Sequence, residues 1–206
     1  MKKANTKERI LNEAVKLFAK KGYEAVGVTE IADAVGIKAP SLYKHYKSKR
    51  DIFESIIERV NEMDSEKAKS YEMPDGTIEE IAEEYKNIPL EKIGEYAKAM
   101  LLHWTAEEFS SCFRKMLTLE QYNSEEMAQL YRNYISCGPV KYMADIFSDV
   151  AGNYEEAYSL ALDFYGPMYL LYGIYDANPD IDYVTDLLDK HIKKFERDLR
   201  ERKEIK

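Results

Sequence analysis

Between positions 38 and 49 the chain interleaves cations with aromatic rings: Lys38, Tyr43, Lys44, His45 and Lys49. That mixture suits nucleic acid, because interleaved basic and aromatic groups are what phosphate and base contacts require. Other chemistry finds no apparatus. His45, His103 and His191 are far apart and none has an acidic residue three positions before it, so the Glu-x-x-His pattern of helical metal sites is missing. There is also no H-E-x-x-H, P-loop, G-x-G-x-x-G or G-x-S-x-G. No catalytic residue, metal site or cofactor is expected. Cys112 and Cys137 sit in neither C-x-x-C nor zinc spacing and read as ordinary buried thiols.

The charge is unevenly distributed. The 206 residues carry a net −8, which argues against a polyanion partner, yet residues 1–50 hold 12 Lys and Arg against 5 Asp and Glu, a net of +7. The remaining residues carry −15. The opening Met1-Lys2-Lys3-Ala4-Asn5-Thr6 has no apolar h-region, and no apolar run is long enough for a bilayer, so a soluble cytoplasmic protein without a membrane partner is expected.

The elements that must position these groups are helices. Apolar residues recur at 3.6-residue spacing nearly throughout, which predicts an all-α fold. Ile10, Leu11, Ala14, Leu17 and Phe18 share one face of a first helix that begins after Asn5 and stops at Gly22. A second runs from about Val28 to Val35 with Ile31, Ala32 and Val35 inward, ended by Gly36. A third begins near Ala39-Pro40 and is expected to reach Tyr46. Ser48-Lys49-Arg50-Asp51 matches a capping box and opens a fourth carrying Ile52, Phe53, Ile56, Ile57 and Val60. Met73-Pro74-Asp75-Gly76 and Asn87-Ile88-Pro89 interrupt the pattern, and further helices are expected at about 90–109, 124–137, 153–175 and 180–202.

Two short helices joined at Gly36-Ile37 and braced by a longer one form a helix-turn-helix, whose second member would enter a major groove. With Leu42 and Tyr46 turned inward, Lys38, Ala39, Pro40, Ser41, Tyr43, Lys44 and His45 remain near or on the outside. The run Gly36 to Phe53, GIKAPSLYKHYKSKRDIF, resembles the signature of TetR/AcrR-family transcriptional regulators, and the likeness extends upstream through Ile10-Leu11, Ala14, Leu17-Phe18, Gly22-Tyr23 and Ile31-Ala32. The resemblance implies that Tyr43 and His45 touch phosphates, that Lys49 pins the DNA backbone, and that positions 38–44 approach base edges. Gly27 stands where the family commonly has a capping Thr, and Lys38 replaces a small capping Ser. Thr29 is a substitute contact for the missing hydroxyl.

The head is therefore assigned to residues 1–50 and a helical ligand-binding and dimerisation body to 51–206. Tyr96, Met100, His103 and Trp104 recur at helical spacing, as do Tyr131 and Tyr134 on a later segment and Tyr165 and Tyr169 on another. They form either a tyrosine-rich core whose hydroxyls find partners or an aromatic-lined cavity for an apolar or planar effector, the reading that the resemblance favours. The segment 154–175 is apolar on two sides, and the next shows the stripe Ile181, Val184, Leu188, Ile192, Phe195 and Leu199. Either these pack only within the chain, or they pair with their copies in a homodimer through the last two helices, the arrangement that the resemblance implies. Pro167 and Gly138-Pro139 are read as kinks or as freed carbonyls open to a ligand.

The function expected is a ligand-responsive repressor on a double-stranded DNA operator, released by a small-molecule effector. The alternative is a non-catalytic helical ligand-binding or scaffold protein that binds no DNA.

Overall fold

The computed structural model describes residues 5–73, 88–148 and 150–204, and among them every regular element is a helix. Met1 to Ala4, residues 74–76 and Asn87 of the expected interruptions lie outside the described residues. The order is α1 (Thr6–Lys21), α2 (Val28–Val35), α3 (Ala39–Leu42), α4 (Lys49–Ser70), α5 (Leu90–Thr105), α6 (Glu108–Glu120), α7 (Glu125–Tyr134), α8 (Cys137–Phe147), α9 (Tyr154–Ala177) and α10 (Ile181–Glu204). Two of these, α6 and α8, fall where no separate helix was expected. Gly138-Pro139 is not a kink between helices but the first turn of α8, where a missing N–H costs nothing. Gly138 is required there, since a Cβ would lie 1.9 Å from the Asn133 carbonyl oxygen.

The chain packs as two units, Met1–Asp64 with Glu107–Tyr131, and Ser65–Ala106 with Arg132–Lys206. Packing and charge thus divide the chain at different points, the charge near residue 50 and the packing inside α4.

In the first unit α1 packs against both α2 and α6, which explains why Val15 is buried beside Ile10, Ala14 and Phe18 while Leu11 and Leu17 are only half-buried. Asn5 caps α1 by accepting the Lys7 N–H at 3.3 Å, and α1 ends where Gly22 takes φ 83°, ψ 156°. That region is open essentially to glycine alone. α2 ends at Gly36, φ 76°, with the Ile37 N–H on the Ala32 carbonyl and the Gly36 N–H on Asp33, a Schellman closure. Arg9 donates to the Val35 carbonyl, placing a cation at the negative end of α2.

Contrary to expectation, α3 does not run to Tyr46. After Leu42 the chain tightens, with Lys44 N–H on Ser41 and His45 N–H on Leu42, before Tyr46 turns inward and donates its hydroxyl to the Lys7 carbonyl at 3.3 Å. Burial of that ring pushes the Tyr46 phenol up to about 12. Ser48 caps α4, its Oγ accepting the Asp51 N–H at 3.1 Å, while the Asp51 carboxylate reaches back to the Lys47 N–H at 2.7 Å, one residue before the cap N–H that a full capping box would use. Ile52, Phe53, Ile56 and Val60 of α4 are buried as expected, and Ile57 is half-buried.

In the second unit α9 packs on α8, α10 and α5, and α10 also packs on α5. Phe147, Phe164 and Phe195 form a triangle with centroids 5.1 to 5.7 Å apart. The α10 stripe of Val184, Leu188, Ile192, Phe195 and Leu199 is buried in this unit's own core. It therefore supplies no exposed seam for a second copy. Pro167 lies inside an unbroken α9, and His191 Nε2 sits 2.9 Å from the nearby Phe164 carbonyl.

Gly22→Ala forces a side chain into a glycine-only conformation, and its Cβ would lie 2.4 Å from Glu120 Oε1. The expected loss of unfolding free energy is about 1–3 kcal/mol. Urea denaturation monitored by circular dichroism measures it, and an unchanged midpoint would contradict the strain.

Candidate nucleic-acid interface

The outer side of the α2–α3 turn is built by what its inner side buries. Leu42 is fully buried and Tyr46 is 2% exposed. Successive residues of a tight turn then point away from that core, so Lys38, Pro40, Tyr43, Lys44 and His45 are exposed, with Ala39 and Ser41 half-buried beside them. Tyr43 is 53% exposed, which leaves its ring and hydroxyl open to a partner. Thr29 is exposed in the first turn of α2, whose cap Gly27 contributes no side-chain hydrogen bond, leaving the first amides of that helix to water or an anion. Lys38 likewise stands at the cap of α3 without capping it. Lys38, Lys44 and Lys47 make no ion pair among the described residues.

Lys49 is placed differently from its neighbours. Its ammonium donates to the Tyr23 carbonyl at 2.9 Å and to Glu24 at 3.3 Å, and lies 4.3 Å from the Tyr23 ring centroid. It ties the α1–α2 loop to the start of α4. Arg50 is also engaged, donating to both Glu126 oxygens at 2.6 and 2.9 Å and to Glu54 at 2.7 Å. Those hydrogen bonds, Glu126 first, raise the guanidinium above its ordinary range, and the same contact holds the Glu126 carboxyl below the usual carboxylate range.

Beneath this surface is a carboxylate that sequence reasoning missed. Glu120 on α6 is 3% exposed; its Oε1 accepts the Tyr23 N–H at 2.8 Å and its Oε2 accepts Asn123 Nδ2 at 2.8 Å. Gly22 marks the place in the sequence, but nothing in the sequence joins it to a glutamate almost a hundred residues on.

The residues expected to line an effector cavity do not all come together. In the second unit His103 is fully buried and Trp104 is 3% exposed, with the Tyr134 ring 6.4 Å from Trp104. Tyr165 is buried and donates its hydroxyl to the Ile135 carbonyl at 2.8 Å, as a tyrosine-rich core requires. Tyr96 is half-buried, 6.1 Å from Tyr71, and Met100 is half-buried. Tyr169 is 45% exposed, and Tyr131 belongs to the first unit. A separate cavity of about 280 Å³ lies between α9 and α10, lined by Asp163, His191, Lys194 and Asp198 over Leu160, Phe195 and Leu199, and none of the eight expected residues lines it.

Cys112 is half-buried, and burial pushes its thiol up, with Glu108 adding to the effect. Cys137 is exposed, against the expectation that both are buried. Among the described residues no group of His, Cys, Asp or Glu is placed to hold a metal, and no helix is long and apolar enough to cross a membrane.

Residues 10–56 match the family described as "Bacterial regulatory proteins, tetR family". The biofilm operon icaADBC HTH-type negative transcriptional regulator IcaR of Staphylococcus aureus (strain Newman) is 31% identical over 131 residues, covering 61% of this chain and 69% of that protein. Solved structures share the fold: a TerR/AcrR-family regulator from Aquifex aeolicus VF5 matches at TM-score 0.64 and 21% identity, over 92% of this chain and 98% of that one. AibR in complex with isovaleryl coenzyme A and operator DNA matches at TM-score 0.58 and 17% identity, over 88% and 95%. The matched stretch is the head described above, from the buried face of α1 to the capped start of α4, and with a relative at this identity spanned over more than two thirds of its length the chain belongs to the TetR family of DNA-binding bacterial regulators, which are non-catalytic.

Proposed function

We propose that this regulator is a dimeric repressor whose two α3 turns read successive major grooves of an operator and are released by a small apolar or aromatic effector. The observation that carries the DNA assignment is the outer side of the α3 turn, where Lys38, Tyr43, Lys44 and His45 stand exposed over a locked Leu42 and Tyr46. Repression is supported by the relative IcaR, whose name describes a negative regulator, and an effector by AibR, held in one crystal with a coenzyme A thioester and operator DNA.

Lys38, Lys44 and Lys47 from each of two heads displace on the order of six counterions, giving a log–log slope of affinity against salt of about −5. Binding measured across a salt series tests this, and a flat response removes the DNA reading. Tyr43→Ala and Lys44→Ala weaken binding to every duplex, whereas Lys38→Ala and Ser41→Ala change the bases selected from a random pool. Lys49→Ala lowers thermal stability together with affinity, because its ammonium holds two loop carbonyls.

For the dimer, the supporting surface is the outward face of α9. Leu162, Tyr169 and Leu170 are 45–64% exposed there, and Gly166 and Gly173 share that face. A Cβ on either glycine would meet nothing within 4 Å in this chain. Glycine inside a helix costs about 1 kcal/mol relative to alanine, so small residues with no close neighbour in their own chain suit a second copy packed closely on them. Leu170→Arg yields a folded monomer in analytical ultracentrifugation, while Leu188→Asp, with a charge in the core, unfolds the protein. A Leu170→Arg dimer as tight as the wild type would reject this face.

The effector is assigned to the aromatic residues Tyr96, His103, Trp104, Tyr134 and Tyr165 of the second unit together with Met100, and α4, unbroken from Lys49 to Ser70, is the element able to carry a displacement toward the head. Linkage requires that saturating operator weaken effector binding by the same factor as the effector weakens operator binding, about 5- to 150-fold. Calorimetric titration of a hydrophobic compound found by thermal-shift screening, with and without operator, measures it. Equal affinities exclude that compound as an inducer.

A further inference from the structure

Two carboxylates of the 107–131 segment reach the reading head at separate points. Glu120 meets the Tyr23 N–H in the loop before α2, and Glu126 grips the guanidinium of Arg50 in the first turn of α4, just after the α3 turn. α2 and α3 are suspended between those anchors. Lys49 joins the anchors to each other, since its ammonium takes the carbonyl of the same Tyr23 whose N–H is on Glu120. Gly22 leaves the room for this approach.

We propose that Glu120 and Glu126 are positioning residues for operator reading, holding α2 and α3 in the one arrangement that meets an operator half-site. Stability alone does not account for them. A buried carboxylate costs desolvation that an apolar residue of similar volume avoids, and an exposed ion pair such as Arg50–Glu126 contributes little. What both supply is a fixed geometry: a bidentate Arg–carboxylate contact has one good orientation, and a carboxylate on a loop amide beside a glycine fixes where that loop turns. Neither side chain is assigned a contact with DNA.

The inference rests on the DNA-binding reading and is tested on the full-length protein. Fluorescence anisotropy measures Glu126→Gln and Glu120→Gln against a duplex selected from a random pool by the wild type, and against an unrelated duplex. Loss of a negative charge on its own tightens binding to any polyanion, so electrostatics and positioning predict opposite signs. Each variant is expected to lose about tenfold in affinity for the selected duplex, within the usual range of coupling between a remote contact and a site. Affinity for the unrelated duplex, carried by phosphate charge, is unchanged or about twofold tighter. Circular dichroism establishes that the variants are folded at the assay temperature. A folded Glu126→Gln with wild-type or tighter affinity for the selected duplex overturns the proposal, whether or not Glu120→Gln folds. An equal loss on both duplexes overturns it as well. A wild type that selects no duplex overturns the DNA-binding reading, and this inference with it.

Discussion

The backbone of Tyr23 is the constraint on which the head depends. Its N–H lies on the buried Glu120 carboxylate and its carbonyl on the Lys49 ammonium, so opposite charges from α6 and α4 hold the two peptide groups that flank one Cα. The side chain is held as firmly: the ring packs against Phe18 of α1 at 5.2 Å and Phe53 of α4 at 4.9 Å, beneath the same lysine. Burial raises its phenol above the ordinary range. The loop matters because α2 begins five residues after Tyr23, at Val28.

From that anchor the rest of the head follows by short-range devices. Arg9 and the Schellman closure at Gly36 fix where α2 stops, the Lys21–Glu30 pair at 2.5 Å fixes where it starts relative to the end of α1, and Tyr46 turns the chain back onto Lys7. A reading element of only four helical residues has no independent stability, since helices this short do not persist in water. It is held by what precedes and follows it, which is why the residues that matter for its position lie outside it and the residues on its outer side are free to be polar.

The second unit makes a different use of apolar surface. Its α10 spends a whole stripe on the core, and α9 spends its Phe164, Met168 and Leu171 side the same way, leaving Leu162, Tyr169 and Leu170 outside. Two-sided apolarity in α9 is thus divided between a face buried in the chain's own core and a face left exposed, while the amphipathic α10 has a single apolar face and uses it internally. The polar tip of Tyr165 reaches the Ile135 carbonyl just after α7, where carbonyls at a helix end lack intrahelical donors.

The sequence by itself determined what is local. Helix period, the Asn5 and Ser48 caps, the stops at Gly22 and Gly36, the inward Leu42 and Tyr46, and the exposed cations around them are all written within a few residues of one another, because capping and amphipathicity act over one or two turns. The family was legible for the same reason, its signature lying in one contiguous stretch. Only the tertiary structure decided that Glu120 lies against Gly22, that Glu126 holds Arg50, that Lys49 is spent on a loop, that α3 tightens after Leu42, and that the α10 stripe faces its own core rather than a second copy. Each of those depends on which faces meet across long stretches of chain, and an apolar stripe or a lone carboxylate reads the same in sequence whether its partner is the next helix, a distant one or another molecule.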